Sequence, residues 1–111
     1  MNTQPPTVRQ YMALKREAPI GSVLLYQVGD FYGIFGKENI DDIRQILSLP
    51  DSLLDKAFLP TRNLDTYLAK LIRNSKTVAL ADYADNMARG KLMRREITRV
   101  IAPGIAKEVV S

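Results

Sequence analysis

Residues 22–36 read Ser-Val-Leu-Leu-Tyr-Gln-Val-Gly-Asp-Phe-Tyr-Gly-Ile-Phe-Gly, and no other stretch restricts the fold so tightly. Ser22 to Val28 is almost continuously apolar and aromatic, with two valines and none of the three-and-four spacing of a helix. Such a run is favourable as a strand covered on both faces. Gly29-Asp30 interrupts it as a turn signal, and Phe31 to Phe35 resumes an extended aromatic pattern. Two strands joined this tightly are predicted to pair as an antiparallel hairpin. Period two puts Phe31, Gly33 and Phe35 on one face, with Tyr32 and Ile34 on the other. Read on its own, an aromatic in such a hairpin belongs to the core.

The flanking segments supply what would cover that hairpin. Residues 1–6 are polar with Pro5-Pro6 and are expected to be a flexible lead-in, leaving residues 7–111 as one domain. Thr7 is a candidate cap for a helix that carries Val8, Tyr11, Met12 and Leu14 on one stripe and ends before Pro19. Ile40, Ile43, Ile46 and Leu47 give residues 38–47 a helical period. A short edge strand is expected over Lys56 to Leu59, before Pro60. Asn63 is a candidate cap for the best helical match, in which Leu64, Tyr67, Leu68, Leu71 and Ile72 share a face. Thr77 to Ala81 reads as a buried strand, residues 85–92 as an exposed basic loop, and Arg94 to Ile101 as a strand with poor alternation. Strands alternating with helices around a hairpin predict an α/β (α+β) fold, a mixed β-sheet with helices packed on it. Tyr26, Leu24, Leu68, Leu71 and Ile72 are the expected core.

Charge and missing residue types bound the chemistry. Arg89, Lys91, Arg94, Arg95, Arg99 and Lys107 give the final quarter of the chain the whole formal excess of +4. Such a stripe suits a polyanion, although composition alone favours a solvated basic loop and strand. With no histidine and no cysteine there is no Ser-His-Asp or Cys-His arrangement, no ordinary zinc site and no disulfide. The absence of thiols is compatible with a reducing cytosol, and a cytoplasmic protein is expected, nucleoid-associated in a bacterium. No phosphate-binding Gly-x-x-x-x-Gly-Lys loop is present, and Asp41-Asp42 and Asp82 with Asp85 read as helix-start and turn residues. No apolar run approaches the ~20 residues that span a bilayer. The chain is therefore read as a non-enzyme needing no cofactor, no metal, no membrane and no small-molecule substrate.

Four ordered blocks then resemble one family. Gly29-Asp30-Phe31-Tyr32-Gly33 resembles the Gly-Asp-Phe-Tyr-Glu signature of the amino-terminal, mismatch-recognition domain of the MutS DNA mismatch repair proteins. Gln10 to Lys15 is similar to that domain's opening helix. Asn63 to Ile72, with Tyr67-Leu68-Ala69-Lys70-Leu71, is similar to its Asn-Tyr-Leu-Ala-Lys-Leu helix. Arg95 to Gly104, ending Ile101-Ala102-Pro103-Gly104, is similar to its exit strand.

The resemblance implies a mixed-sheet module without catalysis, whose partner is double-stranded DNA, mismatched or distorted, with other repair proteins beside it. It assigns Phe31 to an exposed tip as a minor-groove wedge, and Tyr26 and Phe35 to the core. The family's glutamate, two residues after the wedge, stands here as Gly33, so weakened mismatch specificity is expected. The family's Thr-Lys-Arg loop is replaced by the shorter Leu49 to Lys56. Phe31, Gly33, Arg62, Arg89, Lys91, Arg94 and Arg95 form the expected DNA-binding set, with Arg62 open between a phosphate contact and solvated surface. The alternative is a protein-interaction module that kept the fold and uses Phe31 as an apolar anchor.

Overall fold

Strand β1, Val23–Val28, lies at the centre of a five-stranded sheet of order β3-β2-β1-β4-β5 in the computed structural model, which describes residues 6–49, 55–84 and 94–103. The others are β2 Phe31–Phe35, β3 Lys56–Pro60, β4 Val78–Tyr83 and β5 Arg95–Ile101. Helices α1 Pro6–Glu17, α2 Lys37–Leu47 and α3 Leu64–Arg73 complete the fold. Strand β1 pairs antiparallel with β2 and parallel with β4, so the sheet is mixed, as expected.

The unbroken apolar sequence of β1 follows from burial on both sides. Val23 and Leu25 face a core with Tyr32, Ile34, Leu59, Val78 and Leu80, closed by Ile40, Ile43 and Leu47 of α2 and Leu71 of α3. Leu24 and Tyr26 face the opposite core, closed by Tyr11, Leu14 and Ala18 around α1, with Ala79 and Ala81 beneath. Two helices thus cover one face and a single helix the other.

Local chemistry shifts several boundaries. Helix α1 starts at Pro6, so Thr7 lies inside it and is not its cap; proline suits a first turn, whose N–H groups have no helical partner. A short 3-10 turn, Thr61–Asn63, leads into α3, and the Asn63 side chain makes no capping bond there. Leu71 is fully buried, whereas Leu68 and Ile72 pack only part-buried at the rim of that core, short of the burial expected for them. Tyr67 is likewise a rim residue. The poor alternation of β5 has a structural cause. Register slips between Leu80 and Ala81, where Arg99 and Ile97 are the successive partners and Thr98 is the extra residue. A bulge of this kind reverses which face the odd-numbered residues take. Asp82 is a strand residue, not a turn residue; its carboxylate accepts from the Tyr32 hydroxyl at 2.6 Å and from Thr98. Asp41 pairs with Arg44, and Asp42 with Lys76. The expected basic loop lies outside the described residues, as does most of the segment after Leu49.

Two outcomes test this packing. Leu71→Ala is expected to cost ~2–5 kcal/mol in urea unfolding, and Leu68→Ala clearly less, because only the first leaves an enclosed cavity. Burial raises the phenol pKa of Tyr11, Tyr26 and Tyr32; at Tyr32 the bond to Asp82 and that carboxylate's charge raise it further. The raised folded-state pKa favours the neutral form, so its stabilisation is complete below the ordinary phenol value of about 10 and is lost as pH rises above it. Melting temperature should accordingly be independent of these groups through neutral pH and fall on alkaline titration. A fall that Tyr32→Phe leaves unchanged would count against the Tyr32–Asp82 contact.

Candidate nucleic-acid interface

The hairpin turn is built to project one ring. Val28 pairs with Phe31, leaving Gly29-Asp30 as a two-residue loop. Gly29 takes a φ of +60° and Asp30 does not share the positive φ, the pattern of a type II′ turn. A side chain at 29 would meet no neighbour, so glycine is required there by backbone conformation alone.

Both sides of this turn are braced. The Gly29 N–H donates to the Tyr83 hydroxyl at 2.6 Å, and the Thr61 N–H donates to the Asp30 carbonyl at 2.9 Å. The Gln27 side chain accepts from the Tyr83 N–H at 3.0 Å. Phe31, the first residue after the turn, is 45% exposed on this held backbone. It pairs with Pro60 and shares an open hollow of about 340 Å³ with Asp30, Pro60, Thr61 and Arg62. Arg62 is exposed, so the structure brings Phe31 and Arg62 to one place. Tyr26 is fully buried, as the resemblance implies, whereas Phe35 is only part-buried against the same core. Tyr11, Tyr26 and Phe35 meet edge to face, with centroids 5.0 to 6.1 Å apart.

Gly33 is placed differently from an open contact residue. It is buried, and an added Cβ would lie 3.0 Å from Phe35 Cε2 and 3.1 Å from Phe58 Cε1. Phe58 is the cross-strand partner of Gly33 and meets Phe35 edge to face at 5.9 Å. Its ring and that of Phe35 crowd the space that a side chain at 33 would need, and Phe58 is itself 38% exposed. Phe58 is absent from the expected set, although period two in Lys-Ala-Phe-Leu-Pro already separates it from Ala57 and Leu59, which face the core.

The basic stripe divides. Arg94 is exposed, with its guanidinium 3.7 Å from Glu96. Arg95, expected on the surface, is only 8% exposed. Its Nε donates to the Gln27 carbonyl at 3.0 Å, and its N–H donates to the Gln10 side chain at 2.7 Å. The guanidinium stacks 4.5 Å from the centre of the Tyr26 ring and 4.7 Å from that of Tyr83. Arg94, just before β5, is exposed where Arg95 is turned inward, so the two do not share one surface. Arg95 ties α1, β1, β4 and β5 together directly behind the hairpin tip. Arg89 and Lys91 lie outside the described residues. Among the described residues, no three carboxylates gather as a metal site, and no helix is long and apolar enough to cross a membrane.

Residues 5–109 match the family described as MutS domain I. The DNA mismatch repair protein MutS of Methanothrix thermoacetophila is 33% identical over 112 residues, covering 93% of this chain and 13% of that protein. The protein of the same name from Porphyromonas gingivalis is 34% identical over 110 residues, covering 91% and 12%. That of a Synechococcus strain is 37% identical over 112 residues, covering 93% and 12%. The chain therefore spans 12 to 13% of the length of these curated relatives.

Replacing Arg95 should be felt in the fold. Arg95→Gln removes a charged donor and two ring contacts, and is expected to cost ~2 kcal/mol or more in unfolding. Arg94→Gln, at an exposed pair, should change stability by under ~1 kcal/mol. Equal effects at the two positions would refute the inward placement of Arg95.

Proposed function

This chain belongs to the MutS family, as its domain I, and from that premise we propose that it is a non-catalytic DNA-binding module whose mismatch preference is weakened. One observation carries the reading: an exposed phenylalanine stands on a turn braced from both sides. A wedge must keep its direction while it unstacks a base step, and that step costs a few kcal/mol, offset by contacts that the bent duplex then makes. The hydrogen bonds to Gly29 and Asp30 supply the stiffness. Arg62, exposed across the same hollow, is suited to the flanking phosphate. Arg94 adds positive charge from the far edge strand, with Arg89 and Lys91 assigned to the same role. The partner is double-stranded DNA carrying a distortion, bound where the repair proteins work, at the nucleoid in a bacterium.

Weakened specificity follows from position 33. The family's glutamate is replaced by glycine, and the volume there is filled by Phe58 and Phe35. Position 33 itself then offers no carboxylate to accept a hydrogen bond from a displaced base. Acting alone, a module of this size should bind at ~10⁻⁴ to 10⁻⁶ M, the range of non-specific contacts.

Titration of labelled duplexes at several salt concentrations tests the reading. Phe31→Ala should lose ~1–3 kcal/mol of affinity for distorted DNA. Arg62→Gln should weaken binding to every duplex and flatten the dependence of log affinity on log salt by ~0.9. Binding that ignores salt and survives Arg62→Gln would instead favour the protein-interaction module, with Phe31 as its anchor.

Position 33 gives a separate outcome. Gly33→Glu forces apart two rings and should destabilise the fold by ~1–3 kcal/mol. Phe58→Ala should recover part of that loss, so the two changes are expected to be non-additive in urea unfolding. Strict additivity would mean that Phe58 does not occupy the place of the missing side chain.

A further inference from the structure

Phe58 has a role beyond filling space. Phe31 and Phe58 are the two large rings exposed on the α1 side of the sheet among the described residues, and neither belongs to the enclosed part of either core. Register fixes their relation. Phe31 opposes Pro60, and Phe58 stands two residues earlier on the same strand, opposite Gly33. They are therefore diagonal neighbours on one face, at a backbone separation of ~7–8 Å. Glycine at 33 adds no side chain of its own beside the two rings, and Phe58 covers it.

We infer that Phe31 and Phe58 together act as an aromatic clamp for one unpaired base, with Phe58 as a second base-stacking residue beside Phe31 on the same face. The inference rests on the DNA-binding reading above and names its ligand: a single nucleotide displaced from the helix, free on both faces of its ring. A base that remains paired offers its faces to its neighbours in the stack and cannot enter.

The charges around the clamp favour a base over phosphate as the principal contact. Lys56 shares the face of Phe58, and Arg62 follows Pro60, so an exposed cation flanks each end. Asp30 and Asp55, both exposed, stand beside them and bring the local balance close to neutral. Attraction to the backbone is then modest, while stacking on aromatic rings contributes whatever the salt. Sheets elsewhere use exposed aromatics in this way to hold splayed bases. Hydrogen bonding at position 33 gives way to stacking, so the site selects a base by its area.

The test uses the 111-residue chain and three labelled duplexes of equal length: one fully matched, one with a single unpaired adenine, and one with an abasic residue in its place. The last keeps the backbone distortion and removes the base. The natural chain should prefer the unpaired adenine to the abasic duplex by roughly tenfold, the scale of one base stacked on an aromatic. Phe58→Ala should reduce that ratio to within about twofold. Phe58→Leu keeps apolar volume over Gly33 and should lose the ratio equally, which separates stacking from folding. Phe58→Trp should retain the ratio. As the only tryptophan in the chain, it should be quenched by the adenine duplex and not by the abasic one.

A ratio that survives both Phe58→Ala and Phe58→Leu overturns the clamp, and if Phe31→Ala still weakens binding then the DNA-binding reading stands without it. A natural chain that binds none of the three duplexes overturns both.

Discussion

A strand with no solvent face obliges the rest of the chain to supply two. Val23 and Leu25 need one apolar layer, and Leu24 and Tyr26 another. Once β1 is buried on both sides, its neighbours must be strands and its faces must meet helices. Helices α2 and α3 answer for one side. On the other, α1 stands alone, and a helix ~10–12 Å across covers little more than two strands spaced ~4.8 Å apart. It lies over the middle of the sheet, where Tyr11 and Leu14 meet Leu24 and Tyr26, and where Ala79 and Ala81 allow close approach. Apolar side chains toward the sheet edges on this face remain in water: Phe31 and Phe58 at one edge, Val100 at the other. The candidate interface is the part of this face that one helix cannot reach.

Exposure alone would not make a wedge. The stiffness of the tip comes from groups far away in sequence. Tyr83, at the end of β4, holds the Gly29 amide, and Arg95, at the start of β5, stacks on the same Tyr83 ring while its Nε bonds the Gln27 carbonyl. Burying a guanidinium is tolerable because donors are satisfied by carbonyl oxygen and the charge rests against aromatic faces. Through Gln10 the same residue reaches α1. One arginine thereby links the helix that limits the exposed face to the turn that uses it.

How much of this was legible from sequence differs by the range of the interaction. The hairpin, its turn and the two faces of β2 follow from period two and a Gly-Asp pair, all within fifteen residues. The helices follow from their stripes. Arg95 was not legible: nothing local indicates that Tyr26 and Tyr83 wait behind it, since that depends on β4 and β5 pairing in a shifted register. Thr98 is the residue that breaks the alternation, and a bulge of one residue leaves no mark in a composition of Arg, Glu, Ile, Thr and Val. Tyr83 and Gln27 look like ordinary strand residues until the fold brings them to the turn. The rim placement of Leu68 and Ile72 depends on how α3 rolls against α2, which helical period alone does not set.

Gly33 shows how a sequence difference changes meaning once its neighbours are known. As a letter, glycine in place of glutamate is a loss. In the sheet it is part of a packed group, because the rings of Phe35 and Phe58 lie 3.0 and 3.1 Å from where its Cβ would stand. Glycine in a strand interior is unfavourable by itself, lacking a side chain to pack, and a cross-strand aromatic compensates by covering the bare backbone. The two residues are thus coupled: restoring glutamate at 33 beneath the ring would press a carboxylate against two aromatics, where desolvation disfavours its charged form. An acceptor at 33 therefore requires the rings of both Phe35 and Phe58 to give way. Conversely, shortening Phe58 without filling 33 exposes backbone amides of β2 to water. The packing at this face is set jointly by two strands, because a side chain at 33 and the ring at 58 compete for one volume.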